Sequence, residues 1–130
     1  TSLDQLAWQT ARASAIFQAD LDFLDQTAHE ALAQLIVRDE PRLLTLDGLA
    51  FRELHVALQR RVLRAAAHRL QGDLRDLGFE LVENVRRHIM ADGRRAVWQW
   101  RRGLNVEWTG AMAGNRIRFW LVSDFGRGVE

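Results

Sequence analysis

The chain has 130 residues, of which 48% are hydrophobic and 27% are charged, and its formal net charge is +1 at pH 7. These values are typical of one compact globular domain that buries its own core, and they exclude a disordered chain. Because there is no cysteine and no apolar run long enough to span a bilayer, disulfides, thiolate chemistry and a membrane span are excluded, and we expect a cytoplasmic location.

The charge is distributed unevenly along the chain. Residues 1–50 contain eight acidic residues and three arginines, a balance of −5. Residues 51–130 contain nine acidic residues and fifteen arginines, a balance of +6, and no basic residue is a lysine. An anionic partner is therefore to be sought around the second part of the chain.

The first forty residues contain neither glycine nor proline and predict a long helix. Apolar residues recur along one face at steps of three and four, at Phe17, Leu21, Leu24, Ala28, Ala31 and Leu35. An unbroken helix from about Leu3 to Val37 would be about 50 Å long. A break near Ser14 into two ordinary helices is the alternative. We interpret residues 1–37 as a connecting helix that continues into a domain formed by residues 38–130, the whole being one compact unit.

After Pro41, the sequence predicts a short extended piece and then a helix. We expect Leu44–Leu46 to be extended and Asp47 to be the N-cap of a short helical turn, because a carboxylate there accepts from free amides. A longer helix over Leu54–Leu70 follows and ends at Gly72. Its expected core-facing residues are Leu58, Val62, Ala65 and Ala66, with Leu63 and Leu70 beside them.

The same helix carries Arg60, Arg64 and His68 at every fourth position. We expect them to form an exposed cationic row with a spacing of about 6 Å, close to that of neighbouring phosphates along an RNA strand. Arg61 is turned by about 100° from Arg60. It is expected to pair with an acid of the long helix, such as Asp25.

A further helix is predicted from about Gly78 to Met90, with Arg86 and Arg87 displayed on its surface and Gly93 in a position to end it. After that glycine the hydrophobic period changes from helical to alternating, which predicts strands.

Three strands follow, and the expected inward residues are Ala96, Trp98, Trp100, Leu104, Val106, Trp108, Ile117, Phe119 and Leu121. The predicted fold class is α+β, mainly α. It consists of a long N-terminal helix and a helical bundle followed by a small three-stranded antiparallel meander.

The sequence offers little for catalysis. It contains none of the glycine patterns of nucleotide-binding loops, and its four histidines lack metal-ligand spacing. With no cysteine and only three serines, a nucleophilic triad is not expected. We therefore expect no catalytic residue, no metal site and no cofactor in this chain.

The basic residues are the remaining signal. Residues 86–118 contain eight arginines and two acids, a balance of +6, and tryptophans are interleaved with them. Guanidinium groups beside aromatic planes suit contacts with the phosphates and bases of RNA. The alternative is that Trp98, Trp100 and Trp108 belong to the core and that the arginines are merely solvated. The candidate RNA-binding residues are Arg60, Arg64, His68, Arg86, Arg87, Arg94, Arg95, Arg101, Arg102, Arg116 and Arg118.

Nearly the whole chain resembles the region that follows the catalytic domain in the tRNA(Ile)-lysidine synthetase family. The resemblance rests on a long helix, then LLTLDGLAFRELHVALQRRVLRAAAHRL, then a helix ending at a glycine, then GRRAVWQWRRGLNVEWTGAMAGNRIRFWLV. The closest local match is LQRRVLRAAAHRL. One departure is that the family commonly has proline just before this helix, where the chain has His55 and Val56.

The resemblance implies a role in tRNA modification. Members of the family are ligases that use ATP, with Mg, to adenylate the wobble cytidine of tRNA(Ile), and lysine then displaces AMP. Their N-terminal catalytic domain carries a Ser-Gly-Gly-x-Asp-Ser motif, which this chain lacks. The chain is therefore expected to be the appended tRNA-binding domain, itself non-catalytic, with tRNA(Ile) and the missing catalytic domain as partners. A homodimer is left open.

A different class of function is the alternative. The apolar stripe from Phe17 to Leu35 would then pair with a helix of another protein, and the arginines would only keep the module in solution. Salt dependence separates the two, because phosphate contacts weaken steeply as salt rises and apolar pairing does not.

Overall fold

A computed structural model describes residues 2–72, 77–91 and 93–122. Its elements are, in chain order, α1 (Ser2–Leu35), β1 (Ile36–Glu40), β2 (Leu43–Asp47), α2 (Gly48–Arg52), α3 (Val56–Gln71), α4 (Phe79–Met90), β3 (Ala96–Gln99), β4 (Leu104–Trp108) and β5 (Arg116–Leu121). The predicted fold class, α+β and mainly α, is confirmed. None of the described helices has an apolar stretch long enough to cross a lipid bilayer.

The N-terminal helix α1 is unbroken over 34 residues, so the alternative of a break near Ser14 is wrong. At 1.5 Å per residue it is about 51 Å long. Its buried residues, Ala28, Leu32 and Leu35, all lie in its C-terminal third, and every described residue before Leu21 is exposed. The helix therefore packs on the domain only with its C-terminal part.

The sheet has five antiparallel strands in the order β1-β2-β5-β4-β3, which corrects the prediction of three. The meander β3-β4-β5 is confirmed, but β2 pairs with β5 along its length, with Leu44 opposite Phe119. Strand β1 then pairs with β2. The sequence predicted the extended piece Leu44–Leu46, which lies in β2, but not its pairing with β5 far along the chain. Strand β1 was missed because the predicted helix ran on to Val37, whereas the strand already begins at Ile36.

The helices cover one face of this sheet instead of forming a bundle of their own. Val62, Leu63, Ala66 and Ala67 of α3 are fully buried in one cluster with the inward residues of β2, β4 and β5. At the centre, Trp108 reaches Gly48, where an added Cβ would lie 2.3 Å from the indole ring. Only glycine permits this close approach of α2 to the sheet.

The helix ends follow local capping rules. Asp47 accepts from the amides of Leu49 and Ala50 at 3.0 and 3.2 Å, which confirms it as the N-cap of α2. At the start of α3, the ring of His55 accepts from the Ala57 amide at 3.0 Å. The helix ends at Gly72, whose φ of 85° suits glycine.

Candidate nucleic-acid interface

Three arginines converge on one buried carboxylate, that of Glu83 in α4, which is only 2% exposed. Arg60 reaches it from α3 through Nε and Nη2, both at 2.9 Å. Arg86 does so from the next turn of α4, at 3.0 and 2.7 Å. Arg87 adds an ion pair at 3.5 Å. Two forked, charge-assisted pairs therefore fix the guanidinium planes around Glu83.

This Glu83 cluster carries a surplus of two positive charges, because three arginines surround one acid. Hydrogen bonds from Arg86 and then Arg60 hold the pKa of the Glu83 carboxyl far below its ordinary value, so the acid stays ionised. The hydrogen bond to Glu83 likewise raises the pKa of Arg60. The arginines remain charged and oriented, while the acid that orients them is hidden beneath them.

The expected open row of Arg60, Arg64 and His68 is only partly present. Arg60 is half-buried and fixed to Glu83, and Nη1 of Arg64 donates to the Leu77 carbonyl at 2.7 Å. Of the three, His68 alone is exposed. The physical reason is that α4 packs beside α3, so that Glu83 of α4 and the Leu77 carbonyl just before α4 become acceptors for the first two cations of the row.

A groove between α1 and α3 holds the other end of that row. It has a volume of about 270 Å³, and its polar lining comes from Asp25, His29, Arg61, Arg64 and His68. Arg61 donates to Asp25 at 3.0 Å, as predicted. Its arginines and its one carboxylate together give this groove a net charge of +1, and its size accommodates a phosphate group.

A second cluster lies on the sheet, where Arg95 and Arg118 share the buried carboxylate of Glu107. Nη1 of Arg118 lies 3.0 Å from Glu107. The Glu107 side chain is 5% exposed, whereas those of Arg95 and Arg118 are 65% and 44% exposed. As at Glu83, a buried carboxylate is paired with more arginines than it can neutralise. The surplus here is one positive charge.

The segment before β3 links the two clusters and carries Arg94. The Trp108 indole donates to the Gly93 carbonyl at 2.9 Å, and the His88 ring donates to the Arg94 carbonyl at 2.6 Å. These bonds anchor an exposed stretch of backbone beside a hollow of about 420 Å³, lined by Gly93, Arg94, Arg95, Thr109, Gly110, Ala111 and Met112.

The remaining candidates lie apart. Arg101 and Arg102 form the turn between β3 and β4, where Gln71 donates to both of their carbonyls at 3.0 Å. Strand β3 and Trp100 lie between this turn and Arg95. Arg116, at the start of β5, lies 4.0 Å from Asp47. The structure therefore distributes the eleven predicted residues over several patches and does not join them in one site.

The tryptophans are divided between core and surface. Trp100 and Trp108 are 5% and 0% exposed, so the core interpretation holds for both. Trp98 is half-buried and meets the His88 ring edge-on at 5.2 Å. Sequence reasoning missed Trp120, although it follows Arg116 and Arg118 in the same alternation of β5.

Sequence reasoning also missed the two acids that organise the clusters. A signal existed for Glu83, because it lies three and four residues before Arg86 and Arg87, the spacing at which helical side chains meet. For Glu107 the register of β4 and β5, which places it opposite Arg118, had to be known first.

Among the described residues, no three histidine, aspartate or glutamate side chains lie close enough together to hold a metal ion. Comparison with protein-family models and with curated protein sequences gave no match to this chain.

Proposed function

We propose that this chain is an RNA-binding domain, the part of a tRNA(Ile)-lysidine synthetase that holds tRNA(Ile). The observation that supports the proposal best is that two buried carboxylates, Glu83 and Glu107, each hold more arginines than they neutralise. The resemblance in sequence supplies the identity of the RNA.

Arginines held in this way suit a polyanion. A guanidinium that is already oriented loses little conformational entropy when a phosphate binds, so more of the interaction energy appears as affinity. The side chains of Arg87 and Arg95 are 60% and 65% exposed, so part of each guanidinium group is open to a ligand. Contacts of this kind fix the position and orientation of a nucleic acid and carry no direct sequence information.

In this proposal the chemistry belongs to another domain. ATP with Mg, and lysine, bind to the catalytic domain that the family resemblance implies, which adenylates the wobble cytidine and then joins lysine to it. The present domain holds the tRNA in the correct orientation for the catalytic domain. A tRNA held in this way reacts as if it were present at a high local concentration. The proposed setting is the cytoplasm.

Salt dependence tests the proposal. The purified chain should bind tRNA with an affinity that falls steeply with salt, and Arg87→Gln or Arg94→Gln should each flatten the slope by about one unit, as expected for one lost phosphate contact. Arg12→Gln is the matched control, because it removes the same charge from the exposed part of α1. Equal salt slopes in all three variants would count against the proposal.

The second candidate is a protein interaction module, and the exposed part of α1 favours it. Leu3, Leu6, Trp8, Ile16 and Phe17 are all more than half exposed. At about 100° per residue, Leu3, Leu6 and Phe17 lie on one side of the helix, and a contiguous exposed apolar surface marks an interaction site. In the RNA-binding proposal the same surface meets the missing catalytic domain.

Sedimentation of the chain over a range of concentrations separates these roles. The interaction module or a homodimer would be favoured by two results together. The chain would associate as its concentration rises, in a way that Phe17→Ser abolishes, and it would bind tRNA no more tightly than a neutral protein does.

A further inference from the structure

The face of the sheet opposite the core, here called the outer face, carries an aromatic side chain among polar ones. Alternation along β5 turns Ile117 and Phe119 inward and therefore Arg116, Arg118 and Trp120 outward. In the register of the sheet, Trp120 lies directly between Leu43 of β2 and Asn105 of β4.

Within the residues that the structure describes, no helix is part of this surface. The buried residues of α1, α2, α3 and α4 belong to the core cluster together with inward residues of the strands, whereas Leu43 and Trp120 lie outside that cluster. Trp120 is half-buried by its neighbours on the sheet and keeps part of its surface in solvent. A large indole at such a position adds little to the core, so its role is to be sought on the surface.

The charges around Trp120 are layered. The Arg118 guanidinium lies 5.8 Å from the centroid of the Trp120 ring and also donates to Glu107 at 3.0 Å. Arg95 holds the other oxygen of the same carboxylate. Since Glu107 is buried and both arginines are exposed, an approaching ligand meets cations and an indole before it meets the acid.

We propose that the outer face binds unpaired RNA, with Trp120 stacking on a base and with Arg118 and Arg95 contacting the adjoining phosphates. Asn105, directly beside the indole, offers both a donor and an acceptor to the edge of that base. The proposal rests on the proposed RNA-binding function and specifies its substrate as a single-stranded segment.

The chemistry favours RNA over a protein partner. Single-stranded nucleic acids are bound by aromatic side chains that stack on bases within a positively charged surface. A protein interface would instead need a broader apolar centre. Among the strand residues that the register pairs with Trp120 or Glu107, the large apolar ones are Leu43, Val97 and Trp120 itself, and charged and amide groups surround them.

The test uses the whole 130-residue chain and two probes, an unpaired oligoribonucleotide and the same sequence fully paired with its complement. Trp120→Leu keeps apolar bulk on the sheet but lacks an aromatic face, so it should weaken binding of the unpaired probe about tenfold. Trp120→Phe should restore most of that affinity. Binding of the duplex should not change, because paired bases are not free to stack.

The chain supplies a matched control in Trp8, which is 62% exposed on α1 and has the Arg12 guanidinium 5.3 Å from its ring centroid. Trp8→Leu removes the same kind of arginine-indole pair from another place and should leave both affinities unchanged. The salt slope of Trp120→Leu should match that of the unsubstituted chain, because stacking releases no counterions.

The outcomes separate the two proposals. If the unsubstituted chain binds RNA with a steep salt dependence and Trp120→Leu binds the unpaired probe equally well, base stacking at Trp120 is wrong and the RNA-binding function stands. If the unsubstituted chain binds neither probe, both the stacking proposal and the RNA-binding proposal are wrong. If Trp120→Leu changes only self-association, the outer face is a protein contact.

Discussion

At the scale of single residues, Glu83 affects both the stability and the surface charge of this protein more than any one arginine does. Its carboxylate is taken out of water, and only the surrounding guanidinium groups compensate for the lost hydration. Once the acid is removed, Arg60, Arg86 and Arg87 are left close together with no counter-charge. The same residue therefore stabilises the packing of α3 on α4 and organises a cationic surface.

Glu83→Gln should lower the Tm of the chain by about 5 °C or more, because it leaves the guanidinium groups of Arg60, Arg86 and Arg87 close together without a counter-charge. Thermal unfolding followed by circular dichroism measures this. Glu30→Gln is the control, since Glu30 is exposed on α1 and accepts a long hydrogen bond from Gln26 at 3.5 Å. It should leave the Tm within about 1 °C, as for other surface changes. Equal effects of the two substitutions would show that Glu83 has no special role.

The depressed pKa of Glu83 also predicts a dependence of stability on pH. In the unfolded chain this carboxyl titrates near 4.5, whereas in the folded chain Arg86 and Arg60 hold its pKa well below that value. The unfolded state therefore binds more protons as the pH falls below about 4.5, so the stabilisation is complete at neutral pH and is lost progressively in acid.

The difference in unfolding free energy between the unsubstituted chain and Glu83→Gln should accordingly shrink between about pH 7 and about pH 3. Denaturant titrations at the two pH values measure it. A difference that stayed constant, or grew in acid, would contradict the assigned direction of the shift.

At the scale of elements, α1 has two different parts. From Leu21 onward it contributes Ala28, Leu32 and Leu35 to the core, and its contacts with α3 are the most extensive between any two helices. Its first part has no buried residue among those described. An isolated helix of that length is marginal in water, so its stability depends on the anchored part.

Removal of residues 1–19 should therefore leave the Tm within about 3 °C, because no described residue in this segment is buried. The change should also reduce self-association if the exposed apolar residues cause any. Thermal unfolding and sedimentation measure the two effects. A loss of cooperative unfolding would show that the segment packs on the domain in solution.

At the scale of the whole molecule, β5 joins the early and late parts of the chain. It pairs on one side with β2, whose partner residues lie 69 to 77 positions earlier in sequence, and on the other side with β4. It also contributes Ile117 and Phe119 to the core. The acidic first part and the basic second part of the sequence are thereby united in one structure.

A chain that ends before Arg116 should lose cooperative unfolding altogether, because β1 and β2 would have no strand to extend and the core would open. This outcome contrasts with the mild effect expected from removing residues 1–19. Circular dichroism melts and amide hydrogen exchange of the two truncations make the comparison. A sharp transition in the chain without β5 would show that the helices form an independent core.

The sequence by itself determined the features that depend on neighbouring residues. The helical period of α1, the Asp47 cap, the glycine at the end of α3 and the alternation of β3 to β5 are all local signals, and each appears in the structure. The pairing of Arg61 with Asp25 was also predictable, because it required only that the arginine helix pack beside the long one.

Only the tertiary structure decided how the arginines are used. Whether Arg60 meets solvent or Glu83 depends on how α4 lies beside α3, and whether Trp120 is core or surface depends on the register of β5 between β2 and β4. These are contacts between residues far apart in sequence, and their free energies arise from packing and desolvation in the assembled fold. A local pattern of charge cannot distinguish a cation held by a buried acid from one that is free in water.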